Sequence, residues 1–463
     1  MARENLWRAV AVVMCAALPA GFYVLGDVTD AFPGVLTTTG GQERPVNPPA
    51  QGESLPRASQ DPLAPTPGPE LSETEQLDLQ RRLDRTASQP VVDGHLAFSV
   101  VDAASGTTLA SRDADTARTP ASTLKLLTAA TALKTLGPNT TLPTTVVLKG
   151  RTLTLVGGGD MMLSRTDLGV LADRAVDLAR KKGSEKITLQ LDDTLFPDDG
   201  INSAWGNNGP AGGWVTPSAS LALDEGWLDG EEYGPKSTDP AGDAAKVFAS
   251  ALEDRGLEVT GKLRRDAAPK GGDRAEIRSA PIRDIVAHTL LISDNTTAEL
   301  LARLTAAKEG RTPDAAGGAA AVRHEVESIA DRHGIPTDGL RILDGNGLSR
   351  RDALPPALLA AGLADIVSAG DADLRQILTD VPIAGLTGTL QDRFGARKNA
   401  DARGIVRGKT GYLGGSATLA GIAVMPSGRT VAFSIVVHGF DGADADAARA
   451  AVDRVAATLV EQS

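Results

Sequence analysis

The chain has 463 residues, 59 of them acidic and 47 basic, for a formal charge of −12, and it is 41% apolar but only 3% aromatic. That length calls for two folded units with aliphatic cores plus accessory segments. The acidic balance, without a dense Lys/Arg patch, excludes nucleic acid as a partner, and five histidines without a ligand spacing such as His-Glu-x-x-His leave no metal and no cofactor expected.

Arg3 and Arg8 flank an apolar run from Ala9 to Leu25, and Asp27 and Asp30 follow it. Residues 1–27 therefore read as an N-terminal membrane anchor or signal segment. No small-x-small cleavage site follows, so an uncleaved signal anchor is favoured, with the rest of the chain exported. Cys15, the single cysteine, lies inside this run, so the folded part cannot rely on disulfides. Residues 28–70 lack periodicity and are rich in Pro, Gly, Ser and Gln, the composition of an extended tether.

Order begins at 71, where Ser72 and Glu75 form a capping box and Leu77, Leu79 and Leu83 give a helix its apolar side. Leu96, Phe98 and Val100 alternate into a turn at 102–106, which reads as a hairpin. Pro120 then sets the start of an apolar helix, with Ser122 in or near its first turn. A hairpin turning at Lys149 and Gly150, a helix ending at Gly183, a strand from Lys186, a helix over 239–256 and a strand from Leu257 follow. Between them, 196–226 is glycine-rich and reads as irregular, and Gly157 to Asp160 read as structural.

Two helices flank Ser293–Asn295, antiparallel strands run over 404–440, and an amphipathic helix closes the chain. These elements predict an α/β (α+β) fold. One domain, 71–145 with 276–463, has an antiparallel sheet flanked by helices and drawn from both ends of the chain. Residues 146–275 form an inserted α/β domain.

The chemistry starts at Ser122 and Lys125, which share a helix face at i and i+3. Serine needs an adjacent base to become a nucleophile, and a lysine serves if burial depresses its pKa. Alone, the pair reads equally as an N-cap serine and a snorkelling lysine. Downstream, Ser293-Asp294-Asn295 offers a hydroxyl and an amide between helices. Lys409-Thr410-Gly411 opens a strand, its glycine permitting close backbone approach by a substrate. The ordered set Ser-x-x-Lys, Ser-x-Asn and Lys-Thr-Gly is the pattern of class A β-lactamases and penicillin-binding proteins.

The triplet is joined by Val156-Gly-Gly-Gly-Asp160, Leu343-Asp-Gly-Asn-Gly-Leu-Ser-Arg350, Ile383-Ala-Gly-Leu-Thr-Gly-Thr-Leu390 and Gly408–Gly421. Together these resemble the D-alanyl-D-alanine carboxypeptidase/endopeptidase family, the class C low-molecular-mass penicillin-binding proteins, over nearly everything from 71 onward. The resemblance implies a β-lactamase/penicillin-binding transpeptidase-like fold with one inserted domain. It also implies an exported serine peptidase acting on peptidoglycan stem peptides and taking β-lactam antibiotics at the same site.

Residue by residue, it implies that Ser122 attacks the carbonyl between two D-alanines and that Lys125 accepts its proton. Ser293 relays a proton to the leaving amine, Asn295 holds the substrate amide and Lys409 supplies positive potential. Thr410 binds the terminal carboxylate, Gly411 lies in the same strand, and the N–H groups of Ser122 and Tyr412 form the oxyanion hole. Tyr412 replaces the family's usual Thr or Ser, which implies a narrower cleft edge, and Arg350 stands where the peptide stem is contacted. No Glu-x-x-x-Asn lies between the first two motifs to support β-lactamase turnover. The remaining alternative is a catalytically silent fold that serves as a cell-wall-binding or scaffold module.

Overall fold

A computed structural model describes residues 70–88, 95–228 and 234–461. The expected anchor, and all but Glu70 of the expected tether, lie outside them. Among the described residues no helix is long and apolar enough to cross a membrane.

Helix α1, Glu73–Ala87, starts as its sequence dictates: Ser72 Oγ accepts the Glu75 N–H, and the Glu75 carboxylate accepts the Ser72 N–H. Leu79 and Leu83 are buried, but Leu77 is 50% exposed, because two residues turn it to the opposite side of the helix. Strands β1 (Leu96–Asp102) and β2 (Thr108–Arg112) form the hairpin. A 3₁₀ turn at Ala121–Leu124 leads into helix α2, Lys125–Leu136.

Strands β3 (Thr141–Lys149) and β4 (Thr152–Gly157) turn at Gly150, and β5 (Asp160–Leu163) precedes helix α3 (Arg165–Lys181). Then come β6 (Lys186–Asp192), β7 (Leu221–Leu223), helix α4 (Pro240–Glu253), the short β8 (Glu258–Val259) and β9 (Arg264–Arg265), and β10 (Asp273–Pro281). Helices α5 (Ile282–Leu291), α6 (Asn295–Lys308), α7 (Ala315–His333) and α8 (Pro356–Ser368) follow. Strands β11 (Arg407–Leu413), β12 (Ser416–Val424) and β13 (Thr430–His438) lead to the closing helix α9, Ala445–Thr458.

One antiparallel sheet has the order β11-β12-β13-β1-β2, so its strands come from both ends of the chain. β1 is buried along its whole length. Leu96, Phe98 and Val100 pack with α1 and α9, while Val101 packs with α2 and α8 on the other face. The alternation that suggests a one-sided hairpin strand divides two cores here, because each face is covered by helices. A second sheet, β10-β3-β4-β6-β8 with β9 on β6, packs on α3 and α4 around its own core. Its first and last strands pair antiparallel, Thr141 opposite Pro281, so the segment leaves and returns at one place.

The glycine-rich stretch over 196–226 is less irregular than its composition suggests, since β7 pairs in parallel with β5. Gly158 fits only as glycine, as a Cβ there would stand 2.2 Å from the Pro143 carbonyl oxygen. Asp160 follows this pinch, and its Oδ1 accepts the Met162 N–H at 3.0 Å. Burial pushes its carboxyl up to about 7. The folded state therefore takes up a proton there, and stability falls as pH rises from the unfolded carboxyl's range to about 7. Asp160→Asn keeps the acceptor without the charge. Its melting temperature relative to wild type should climb by a few degrees from pH 4 to pH 7 and then level off, as read by thermal melts across that range; a flat difference would contradict the assigned burial cost.

Candidate active site

Ser122 sits in the 3₁₀ turn, one residue after Ala121, whose φ of 47° is left-handed. A non-glycine residue held there stores about 1–3 kcal/mol, so the surroundings must impose it. They do so from two sides. Thr418 Oγ1 and Thr123 Oγ1 both donate to the Pro120 carbonyl, at 2.9 and 2.6 Å, and Ser416 Oγ donates to the Thr119 carbonyl at 2.8 Å. Opposite, Gly347 lies so close that a Cβ would stand 2.0 Å from the Ala121 carbonyl oxygen.

Lys125 opens α2, and every residue from Lys125 to Leu133 is buried. A helix apolar all round belongs in a core, and Lys125 has 0% exposure, so it does not snorkel. Its Nζ stands 2.9 Å from Ser122 Oγ, 2.7 Å from Asn295 Oδ1 and 2.6 Å from the Asn346 carbonyl oxygen. The last two can only accept. An uncharged amine gives its two N–H bonds to them and turns its lone pair to the Ser122 hydroxyl. Burial lowers its pKa to about 8, against the opposing pull of Asp294, Asp344 and Glu299.

Asn295 is the first residue of α6, where Asp294 caps the helix by accepting the Thr297 N–H. Its Nδ2 donates to the Trp214 carbonyl at 2.7 Å, which brings the glycine-rich stretch to the site. Ser293, just before, has a φ of 66°. Its Oγ accepts from Lys409 Nζ at 2.7 Å, and Lys409 is fully buried. Burial pushes the Lys409 ammonium well below its ordinary range, and the Lys125 charge pushes it further. Thr410 Oγ1 lies 2.7 Å from Thr389 Oγ1. At Gly411 a Cβ would stand 2.1 Å from Thr418 Oγ1, which donates to the Pro120 carbonyl, and 3.0 Å from that carbonyl oxygen, so the glycine lets β11 lie against the Ser122 turn and the side chain that holds it.

Sequence reasoning counts the loop over 344–349 among the motifs of the resemblance but assigns its backbone no role. Asp344 accepts the N–H groups of Asn346, Gly347 and Ser349 and so folds the turn that aims the Asn346 carbonyl at Lys125. Thr128 Oγ1 ties this loop to α2 through the Gly345 carbonyl, and Glu299 holds the Gly345 N–H. Burial pushes the carboxyls of both Asp344 and Glu299 up. The Asp-Gly-Asn-Gly run is the signal for such a turn, but the group it delivers is backbone and has no residue signature.

Tyr412 does not fill the space around Ser122. Its ring lies 40% exposed beneath the Arg449 guanidinium, 4.2 Å away, and beside Phe440. Arg350 packs against Gly414 and lines a recess of about 290 Å³ with Thr119, Arg118, Arg341 and His438, and its backbone carbonyl accepts the hydroxyl of Thr119, three residues before Ser122.

The model of the D-Ala-D-Ala carboxypeptidase 3 (S13) family matches residues 79–234 and 229–459. A protein of Mycolicibacterium smegmatis named carboxypeptidase DacB is 32% identical over 384 residues, 79% of this chain and 80% of that one. A D-alanyl-D-alanine carboxypeptidase of Actinomadura is 28% identical over 470 residues, 83% of this chain and 85% of that one. Among solved structures, penicillin-binding protein 4 (dacB) of Haemophilus influenzae shares the fold, with a TM-score of 0.67 at 22% identity over 83% of this chain and 98% of that one.

Because Gly411 lets β11 touch the Ser122 turn, Gly411→Ala should push strand and turn apart. A displacement near 1 Å costs about 10²-fold in rate, so acylation by benzylpenicillin should slow by about that factor, with the melting temperature little changed. An unaltered acylation rate would show that the contact does not position Ser122.

Proposed function

The chain belongs to the D-Ala-D-Ala carboxypeptidase family whose model spans it, and from that premise we propose that it is an exported, β-lactam-inhibited serine peptidase. It cleaves after D-alanine in peptidoglycan stem peptides through an acyl-enzyme on Ser122. One observation carries the reading: a fully buried lysine nitrogen 2.9 Å from a serine hydroxyl, with two further acceptors fixed as carbonyl oxygens.

Ser122 Oγ attacks the carbonyl carbon between the two D-alanines, and the hydroxyl proton passes to Lys125 Nζ. The oxyanion forms between the N–H groups of Ser122 and Tyr412. The C–N bond breaks, the proton held on Lys125 passes by way of Ser293, which Lys409 holds, to the departing nitrogen, and D-alanine leaves, which frees Lys125 to act as a base again. Water then adds to the ester carbon, its proton returns through Lys125, and the shortened peptide leaves with its new carboxylate. Asn295 holds the substrate amide, Lys409 supplies positive potential, and Thr410 receives the terminal carboxylate. Arg350, on the recess that Thr119 also lines, contacts the peptide stem.

The division into a catalytic domain of 71–145 and 276–463 and an inserted domain of 146–275 is supported by the second sheet's own core, while strands β3 and β10 run across both bounds and Met161, Phe196 and Ala222 pack into the other core. The basic-flanked apolar run over 1–27 supports export and anchoring.

Ser122→Ala should lose both the covalent benzylpenicillin adduct, read by intact mass, and D-alanine release from a D-Ala-D-Ala peptide, while melting like wild type. Lys125→Ala should slow acylation by about 10²–10⁴-fold, the usual worth of a general base. In wild type the acylation rate should rise with pH and level off above about 8 as Lys125 loses its proton. Unchanged penicillin labelling of Ser122→Ala would overturn the reading.

A further inference from the structure

Three carboxyl groups stand near Lys125 and away from solvent: Glu299 and Asp344 are 0% exposed, and Asp352 is 1% exposed. Arg303, one turn along α6 from Glu299, stands 3.8 Å from that carboxyl and gives its Nη1 to Asp198 at 2.6 Å. Once Lys125 is the uncharged amine that activates Ser122, three ionised carboxyls would face one guanidinium already in use. Buried charge is not tolerated unpaired, so the cluster must hold a proton.

The hydrogen bonds say which carboxyl holds it. Asp344 accepts three backbone N–H groups, from Asn346 at 3.2 Å and from Gly347 and Ser349 at 2.7 Å each, and such bonds favour the charged form. Asp352 accepts one, from Leu343 to Oδ1 at 2.8 Å. Its Oδ2 is buried and accepts from no donor among the described residues. The two carboxyls lie within hydrogen-bonding reach of each other. An ionised Asp352 would bury a bare oxygen beside a second carboxylate, whereas a proton on it supplies the donor that the pair lacks.

The remaining neighbours do not change this assignment. Burial pushes the Asp352 carboxyl well above the carboxylate range, and the charges of Asp344 and Glu299 push it further. On its other side Asp352 lines the recess of Arg118, Arg341, Arg350 and His438. Arg118 pairs with Asp113, Arg341 gives its Nε to the Arg351 carbonyl at 3.0 Å, and none of the four donates to Asp352 Oδ2.

The geometry points to Asp352 as a positioning residue, a carboxylic acid that keeps its proton at neutral pH and donates it to the Asp344 carboxylate. The inference rests on the reading of Lys125 as the base. Asp344 folds the 344–349 loop, so fixing its carboxylate fixes the Asn346 carbonyl 2.6 Å from Lys125 Nζ. Without the shared proton the two carboxylates repel, the loop shifts, and the amine loses one of the two acceptors that turn its lone pair to Ser122.

The test pairs infrared spectra of the full chain with benzylpenicillin acylation rates from pH 6 to pH 10. It uses wild type, Asp352→Asn, Asp352→Ala and Asp344→Asn. At pH 7 the wild-type spectrum should contain the carbonyl band of an un-ionised carboxylic acid that is missing from Asp352→Asn. The amide of Asp352→Asn supplies the same donor without the charge, so acylation at pH 7 should stay within about twofold of wild type. Asp352→Ala removes the donor and should acylate about tenfold more slowly, the worth of a hydrogen bond to a charged group. Asp344→Asn, with one acceptor oxygen for three N–H groups, should be slowed at least as much. Above the pH at which the acid band fades, wild type should fall behind Asp352→Asn, a divergence that lost packing alone would not give. The inference is overturned by the absence of the band at pH 7, by an Asp352→Asn that is unfolded or slowed tenfold, or by an Asp344→Asn that acylates faster than Asp352→Asn. The band is read without substrate. A wild type that shows it yet takes no penicillin would therefore remove the peptidase reading, and the positioning role with it, while the acid–carboxylate pair stood.

Discussion

The Lys125 nitrogen has no contact with water, and the arrangement around Ser122 follows from how that nitrogen is accommodated. Removing an ammonium group from water is costly unless it is paired, so burial alone would strip its proton. Asp294, Asp344 and Glu299 lie near enough to oppose this, and the balance leaves the amine at about 8. A base poised there exchanges a proton near neutral pH, whereas an exposed lysine at about 10.4 stays charged. The two carbonyl-type acceptors then matter as much as the charge. By occupying two N–H bonds, Asn295 and Asn346 direct the remaining valence at Ser122.

Holding that geometry takes three pieces of chain that are remote in sequence. The Ser122 turn is wedged between β11, where Gly411 allows contact, and the 344–349 loop, where Gly347 allows it. The left-handed Ala121 is the cost of the wedge, and the hydrogen bonds to the Thr119 and Pro120 carbonyls hold it in place. Drawing the antiparallel sheet from both chain ends is what sets β11 beside a turn nearly three hundred residues upstream. The second sheet joins this framework through paired entry and exit strands, and the glycine-rich stretch that follows β6 supplies the Trp214 carbonyl to Asn295.

Side-chain chemistry was legible in the sequence, and placement by backbone was not. Ser122, Lys125, Ser293, Asn295 and Lys409 announce themselves by type and spacing, and they meet in the structure. The capping box at Ser72 and Glu75 and the hairpin at Gly150 are local, and local rules suffice for them. The Asn346 carbonyl carries no such mark, because any residue could present it. The pairing of β5 with β7 spans some sixty residues of unpatterned sequence, beyond the reach of periodicity. β1 alternates as a half-exposed strand would, yet helices cover both its faces, a fact set by tertiary packing alone.

The measurement closest to the central claim is the titration of Lys125 itself. The protein would be labelled with ¹³C at the lysine ε-carbon, the signal assigned by its loss in Lys125→Met, and its chemical shift followed from pH 6 to pH 11. A midpoint near 8 is the result that the buried, carbonyl-bound amine requires. A midpoint at or above the ordinary lysine value of about 10.4 would mean that the group stays an ammonium at neutral pH and cannot be the base that activates Ser122.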